Sequence, residues 1–248
     1  MRRWVRAAIV LLVAALIAPL VLDAQFRYAN PEYDAGFVFS RIRYGAGLGG
    51  FRGFGGNSWA HDYPSGDLYL TQVLDDLTRM RVQPNRSNVL DLDDPALFQN
   101  PIIYVSEPGF WGISPSEAQN LRAFLLKGGF IIFDDFEGPA QWQNMAAQMA
   151  RALPEYEWLE IDETHPIFHS FFDVDALDVP HPSVRVEPAF FAMFANNDPG
   201  DTMIALANYN SDLAEYWEWS GNGGFFPVDF TNDAYKLGVN YIIYALTH

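Results

Sequence analysis

The chain of 248 residues contains no cysteine. Disulfide bonds and thiol nucleophiles are therefore excluded, and the fold must be stabilised by its hydrophobic core. The composition provides for such a core, because half of the residues are apolar and 16% are aromatic.

Basic residues are scarce as well. The chain has 15 lysines and arginines against 31 aspartates and glutamates, which gives a net charge of −16. A surface of this sign repels phosphate backbones and anionic membranes, so nucleic acid is not expected as a partner. The charge is expected to keep an apolar-rich protein soluble.

No apolar run in the N-terminal region reaches the roughly 20 residues of a typical membrane span. The longest one there, residues 7–22, has 16 residues, follows three arginines and is followed closely by the small residue Ala24. This layout predicts a secretory signal peptide over residues 1–24, with cleavage before Gln25. An uncleaved N-terminal anchor is the alternative. Export would place the protein in the periplasm or cell envelope with 12 basic and 30 acidic residues, a net charge of −18.

Residues 25–36 are polar and rich in turn-forming residues, which indicates a linker, and residues 37–248 are expected to form one domain. Within it, segments with strand patterns alternate with segments of helical spacing. The predicted strands are 37–44, 89–92, 101–106, 129–135 and 203–208, and the predicted helices are 67–78, 114–127, 141–153 and 233–246.

Alternating strands and helices predict an α/β fold with a mainly parallel central sheet of five or six strands and helices on both faces. Ser114 and Glu117 have the spacing of a capping box, and Gly128 suits the end of the same helix. The segment Gly45–Gly56 contains neither GxGxxG nor lysine and is therefore expected to be a mobile loop. Residues 163–200 are interpreted as an irregular flap.

An ordered set of short motifs resembles domain-of-unknown-function family 4159. The motifs are Arg41-Ile42-Arg43-Tyr44, Trp59 with Asp62-Tyr63-Pro64, Gly128-Gly129-Phe130 with Asp134-Asp135, His165-Pro166-Ile167-Phe168, Asn208 with Asp212-Leu213, and Leu237-Gly238-Val239-Asn240. The family looks related to the class I glutamine-amidotransferase-like superfamily and its trehalose-utilisation-like members. The resemblance implies a flavodoxin-like three-layer sandwich. Active amidotransferases use a cysteine nucleophile, so no glutaminase activity is expected here.

Ligands of open α/β sheets bind beyond the carboxyl ends of the strands. Five polar side chains of this chain fall at such positions and are the candidate ligand-binding residues: His61, Asp62, Glu107, Asp134 and Asp135. We expect Asp134 or Asp135 to line one acidic pocket with Asp62 and Glu107. Clustered carboxylates repel one another, so at least one should have a raised pKa or be neutralised. Arg41, Arg43 or a cation would provide that charge.

The competing interpretation is that Asp134 and Asp135 end a strand and cap the following turn. No metal site and no cofactor are predicted, because Pro166 disfavours a helical zinc pair of His165 and His169 and no dense calcium-type loop is present. An all-oxygen metal site built from Asp62, Glu107, Asp134 or Asp135 is the alternative. The tryptophans are expected to pack in the core, although aromatic rings beside carboxylates would also suit a sugar.

Three functions follow from these observations. The first is a non-catalytic ligand-binding or scaffold module of the cell envelope, on an amidotransferase-like fold without its nucleophile. The second is a carboxylate-dependent hydrolase or carbohydrate-active enzyme. The third is an interaction subunit of a membrane-associated complex, because members resembling this family are often parts of larger membrane proteins. The expected partner is a small molecule, a sugar or an envelope protein, with membrane contact only through an uncleaved leader.

Overall fold

The computed structural model describes residues 30–46 and 58–248. The predicted signal peptide and residues 47–56 of the glycine-rich loop lie outside these ranges. Among the helices of the described ranges, none combines the length and apolar character needed to cross a bilayer. Part of the predicted linker contacts the domain, since the Asn30 side chain exchanges hydrogen bonds with the backbone of Val89.

Within residues 30–46 and 58–248 the chain forms nine strands and five α-helices. The strands are β1 (Phe37–Ile42), β2 (Gly45–Ala46), β3 (Val82–Leu90), β4 (Ile102–Ser106), β5 (Trp111–Gly112), β6 (Phe130–Phe136), β7 (Leu159–Ile161), β8 (Ala189–Phe194) and β9 (Met203–Tyr209). The helices are α1 (Ser65–Leu77), α2 (Pro115–Leu125), α3 (Gly138–Ala152), α4 (Leu213–Trp219) and α5 (Val228–Thr247).

Seven of the strands form one sheet in the order β3-β1-β4-β6-β9-β8-β7, and β2 pairs with β5 separately. The first five strands in this order, β3, β1, β4, β6 and β9, run parallel to one another. At one edge of the sheet, β8 pairs antiparallel with β9, and β7 pairs antiparallel with β8. The parallel part has the 2-1-3-4-5 order of flavodoxin-like folds. The predicted α/β class and mainly parallel sheet are therefore confirmed.

Both faces of the sheet are buried, which explains the near-continuous apolar sequence of the central strands. In β6, Phe130 and Ile132 pack on one face, while Ile131 and Phe133 pack on the other. Helices α1, α4 and α5 cover the first face, and α2 and α3 cover the second. Burial of each such side chain contributes about 1.5–3 kcal/mol to folding.

The capping prediction for α2 is confirmed. The Glu117 backbone N–H donates to Ser114 Oγ, and the Ser114 N–H donates to the Glu117 carboxylate. Gly128 has a φ of 94°, which favours glycine after the helix.

The prediction of an irregular flap over residues 163–200 is wrong in part, because β8 lies within it. The segment 189–194 lies between β9 and β7 in the sheet. Apolar and polar residues do not alternate along it, and this alternation is the pattern by which a strand is recognised in a sequence. The short strand β7 and the helix α4 were also absent from the sequence prediction, and β3 begins seven residues before the predicted strand at Val89.

Candidate functional site

The candidate site lies where the carboxyl ends of the parallel strands meet. The chain passes from β1 to β3 on one side and then to β4 on the other, so the strand order reverses between β1 and β4. Tyr44 bridges the two strand ends, because its hydroxyl donates to the carbonyls of Ser106 at 2.8 Å and Glu107 at 2.7 Å. Such a reversal point is where open α/β sheets hold their ligands.

The loop that carries His61 is anchored to the core by Arg41. Arg41 and Asp67 are both fully buried, and the guanidinium donates to the Asp67 carboxylate from Nε at 3.1 Å and from Nη2 at 2.6 Å. The remaining nitrogen, Nη1, donates to the backbone carbonyls of Trp59 at 3.1 Å and His61 at 2.7 Å. The buried ion pair therefore fixes the backbone beneath the His61 ring.

His61 lies between two carboxylates. Its Nδ1 is 2.9 Å from Asp135 Oδ2 and 3.2 Å from Asp62 Oδ1, and the side chain is 46% exposed. The close contacts with Asp135 and then with Asp62 raise the pKa of His61 far above its ordinary value. The ring is therefore held as an imidazolium that neutralises part of the acidic cluster, with one side open to solvent.

Asp135 is the acidic residue at the centre of the site. A shift in the register of β6 against β9 occurs next to it, and its φ of 62° lies in the left-handed region. Its carboxylate contacts His61, the Ser106 hydroxyl at 3.4 Å and His181 Nε2 at 3.4 Å. Burial alone would raise the pKa of Asp135, but the hydrogen bonds from His181 and His61 lower it to about 2.

Asp134 is a structural residue, although it adjoins Asp135. Its fully buried carboxylate accepts hydrogen bonds from the Tyr104 hydroxyl and the Asn208 amide, and from the backbone N–H groups of Leu213 and Ala214. Two of these donors are at the start of α4, so Asp134 helps to cap that helix, together with its N-cap residue Asp212, rather than the turn after its own strand. The structure thus separates the two neighbouring aspartates into different roles.

The carboxylate of Asp62 is buried but accepts no hydrogen bond from the described residues. It is 4% exposed, and no N–H or O–H donor of the described ranges makes a hydrogen bond to either carboxylate oxygen. Besides the His61 ring, its polar neighbour is the carboxyl group of Glu215, which can donate only when protonated. Burial and the contact with Asp62 raise the pKa of Glu215 to about 7.

Further polar side chains surround this group, and sequence reasoning did not select them: Asp212, Glu215, Glu137 and His181. Burial, with Asp135 and Asp62 nearby, raises the pKa of Asp212 well above its ordinary value. His181 Nε2 lies 3.5 Å from Glu137 as well as contacting Asp135, and these acids raise the pKa of His181 against the effect of burial.

Glu107 lies at the edge of the same cluster. Burial and then the charge of Asp135 raise its pKa. Its φ of 46° is unusual for a residue with a long side chain and marks a strained turn at the end of β4. Of the predicted residues, the structure therefore brings His61, Asp62 and Asp135 into direct contact and places Glu107 beside them.

Arg41 pairs with Asp67, and its charge also interacts with Asp62. Arg43 pairs with the exposed Asp91 at 2.6 Å. The two histidines are the positive groups in contact with Asp135. Two sets of donor atoms have the proximity that a metal ion requires, each within 4.8 Å: His61 with Asp135 and Asp212, and His61 with Asp62 and Glu215.

Comparison with family models matches residues 38–246 to the domain of unknown function DUF4159. The chain belongs to the DUF4159 family. Comparison with curated proteins gives no match. In this DUF4159 chain the matched region includes every candidate site residue and, apart from Phe37 at the start of β1, all the strands of the main sheet.

The remaining candidates of the DUF4159 domain have structural roles. His165 Nδ1 accepts a hydrogen bond from the Ile167 N–H, and His169 pairs with Asp173, so this histidine pair does not form a zinc site. The tryptophans described by the structure are buried or half-buried. Several pack against other aromatic rings, as Trp142 does edge-on against Trp158 and at a tilt against Phe191. They are core residues rather than an exposed platform for a sugar.

Proposed function

We propose that this protein is an exported ligand-binding module of the cell envelope, and that its site is the acidic cluster at the carboxyl edge of the sheet. The ligand is a small cation, organic or metallic, or a small molecule that presents a cationic group. The scaffold is of the amidotransferase-like type without the cysteine nucleophile, so the site serves to bind rather than to hydrolyse glutamine.

The observation that carries the proposal is the buried, unsatisfied carboxylate of Asp62. A carboxylate buried without a hydrogen bond costs stability, which the nearby His61 imidazolium offsets in part, and a fold seldom retains such a group that has no use. Glu215 is its acidic neighbour, and Asp135 lies on the other side of the same histidine. The carboxyl groups outnumber the two imidazoles, so the site has an excess of negative charge that attracts further cations.

A cavity beside the cluster provides room for an organic ligand. It has a volume of about 430 Å³ and is lined by prolines and aromatic rings, among them Pro180, Pro182, Tyr216 and Phe226. His181 also lines it, while its Nε2 contacts Asp135. A ligand with an apolar body in the cavity can therefore reach the acidic cluster through His181, in the manner of sites that combine apolar walls with a few polar groups.

Two further lines of evidence support the cellular part of the proposal. The sequence of residues 1–24 has the layout of a secretory leader. The absence of cysteine and the excess of acidic residues are compatible with a soluble domain in that compartment. Cell fractionation with N-terminal sequencing tests this part: Gln25 as the first residue in the soluble periplasmic fraction supports it, and a cytoplasmic protein that begins at Met1 contradicts it.

The binding proposal is tested by thermal shift on protein freed of cations by chelation and gel filtration. The probes are Mn²⁺, Zn²⁺, Ca²⁺, putrescine and agmatine, with trehalose as a neutral compound. At least one cationic probe should raise the melting temperature of the wild type and fail to do so for Asp135→Asn. Asp173→Asn, which removes an exposed acid paired with a histidine elsewhere, is the matched control. If no cation gives a shift that depends on Asp135, the proposed function is wrong.

Asp62 and Glu215 also favour a second function, a carboxylate-dependent hydrolase. A carboxyl group with a pKa of about 7 beside a second carboxylate has the character of a general acid or base. Hydrolysis of 4-nitrophenyl glycosides or esters should then be lost in Glu215→Gln and retained in Glu218→Gln, one turn later in α4. Equal activity in both variants, or none in the wild type, contradicts this function.

A further inference from the structure

The two groups of potential metal ligands share one residue. His61 belongs to both, with Asp135 and Asp212 in one set and Asp62 and Glu215 in the other. Their carboxylate oxygens come from three separate places in the chain: the loop before α1, the end of β6 and the start of α4. The fold therefore gathers four carboxylates around one imidazole at the carboxyl edge.

An acidic cluster does not by itself indicate a ligand, but Asp62 supplies an independent observation. Its side chain is fully buried, and neither oxygen receives a hydrogen bond from any donor within the described ranges. It faces the His61 ring and the Glu215 carboxyl. The donor atoms of Asp62, Glu215 and His61 lie within 4.8 Å of one another, so one cation could bind all three and engage the Asp62 oxygens that lack a hydrogen bond.

We propose that this cluster binds one divalent transition metal ion of the Mn²⁺, Fe²⁺ or Zn²⁺ class. One ring nitrogen of His61 and the carboxylates of Asp62 and Asp135 are its principal ligands, with Asp212 and Glu215 completing the donor set. This inference rests on the proposed function and deepens it, since it names the cation that the site holds.

The donor types select this class of metal. Calcium takes six to eight oxygen ligands, and magnesium is usually held by one or two carboxylates and several waters, so neither calls for an imidazole. Sites with thiolates suit softer metals, and this chain has no cysteine. A single imidazole among carboxylates suits Mn²⁺, Fe²⁺ and Zn²⁺, and the intrinsic affinity for Zn²⁺ exceeds that for Mn²⁺.

Access to the site is provided by His61. Its side chain is 46% exposed, whereas Asp62 and Asp135 are buried beneath it. A metal ion reaching the cluster replaces the proton on the imidazole that now bridges Asp62 and Asp135. The ion would then satisfy by coordination the carboxylate that the protein leaves without a hydrogen bond. The proposed donor set differs from the all-oxygen alternative considered from the sequence, because it adds the His61 imidazole, Asp212 and Glu215 and omits Glu107 and Asp134.

The test is a titration of the metal-free full-length mature protein with Mn²⁺, followed by the loss of the electron paramagnetic resonance signal of free Mn²⁺. Competition with Zn²⁺ and with Ca²⁺ is measured in the same way. We expect one Mn²⁺ per chain, displacement by Zn²⁺ at lower concentration, and at least about tenfold weaker competition by Ca²⁺.

Three variants and a control assign the ion to the cluster. His61→Ala and Asp62→Asn should each weaken Mn²⁺ binding by about tenfold to 100-fold or more, because each removes a direct ligand. Glu215→Gln should weaken it less. His169→Ala, which removes the exposed histidine of the His169–Asp173 pair, should leave binding unchanged. Far-ultraviolet circular dichroism and the melting temperature of each metal-free variant show that it is folded.

Two results would overturn the inference: no stoichiometric binding of Mn²⁺ or Zn²⁺ to the wild type, or binding that persists unchanged in both His61→Ala and Asp62→Asn. If putrescine or agmatine binds in an Asp135-dependent manner while these metals do not, the metal inference fails and the proposed function stands. If no cation binds through Asp135, both fail.

Discussion

Arg41, buried in β1, donates a 2.7 Å hydrogen bond to the backbone carbonyl of His61, the histidine at the centre of the acidic site. The same guanidinium forms a fully buried ion pair with Asp67 at the start of α1. The Arg41 side chain therefore connects the core to the site. A change that disrupts the Arg41–Asp67 ion pair should also displace the His61 ring.

Replacing Asp67 by Ala tests this connection. It leaves the Arg41 charge buried without its partner, and we expect a loss of about 3 kcal/mol in the free energy of unfolding. Cation binding at the acidic cluster should weaken as well, because the loop that holds His61 loses its anchor. Urea denaturation measures the first effect. Asp91→Ala is the control, since it removes the exposed partner of Arg43 and should cost less than about 1 kcal/mol; equal losses in the two variants would refute the connection.

Asp134→Asn separates the structural aspartate from its neighbours. Asp134 Oδ2 accepts from the Tyr104 hydroxyl and two backbone N–H groups of α4, and Oδ1 accepts from Asn208. An amide cannot accept at both ends, so at least one buried donor loses its partner at a cost of about 2 kcal/mol. The free energy of unfolding should fall while cation affinity per folded molecule changes little. Unchanged stability would show that the carboxylate does not help to cap α4.

The pKa of Glu215 gives the metal-free protein a characteristic pH dependence. This pKa is raised from 4.5 to about 7 in the folded protein, chiefly by burial and by the contact with Asp62. The folded state therefore binds more protons than the unfolded state between these values, and this contribution to stability is lost as the pH rises through about 7.

We expect the urea midpoint of the wild type to fall with rising pH over this window more steeply than that of Glu215→Gln, which has no titrating group there. The two variants should be compared in chelator at constant ionic strength. Parallel pH profiles for the two proteins would show that Glu215 titrates as an ordinary surface acid.

Much of the fold follows from local sequence signals. The apolar runs of β4 and β6, the capping box of α2 and the glycine at its end determine elements whose type does not depend on distant contacts. The strand β8 was missed because its residues, Ala189–Phe194, have little alternation, and the strand pairs at both of its edges within the sheet. Pairing between β8 and β9 is a tertiary property that local periodicity does not encode.

The candidate site was predicted in part by a single rule, that polar residues after parallel strands converge. The rule placed Asp62, Glu107 and Asp135 near one another. Applied to β9, it would also have found Asp212 and Glu215, since the strand at 203–208 was predicted and both acids follow it closely. The rule does not extend to His181, which lies in an irregular segment and reaches Asp135 only through the fold.

Asp134 shows the limit of the same reasoning. It also follows the apolar run of a strand, and its position in the sequence is equivalent to that of a site residue. The register shift beside Asp135 directs one carboxylate to the start of α4 and the other to His61. Only the three-dimensional arrangement of donors distinguishes the cap from the site residue.

The central claim is that Asp62 is kept as a charge for a ligand and not for stability. Its φ of 60° is one that asparagine adopts readily, so Asp62→Asn preserves the shape of the loop while removing a buried charge beside Glu215. The deciding measurement is the free energy of unfolding of Asp62→Asn and wild type in chelator at about pH 8, where Glu215 is ionised. Our account predicts that Asp62→Asn is more stable than the wild type, by about 1 kcal/mol, while binding of cations is lost. A variant that is less stable than the wild type, with cation binding retained, would contradict it.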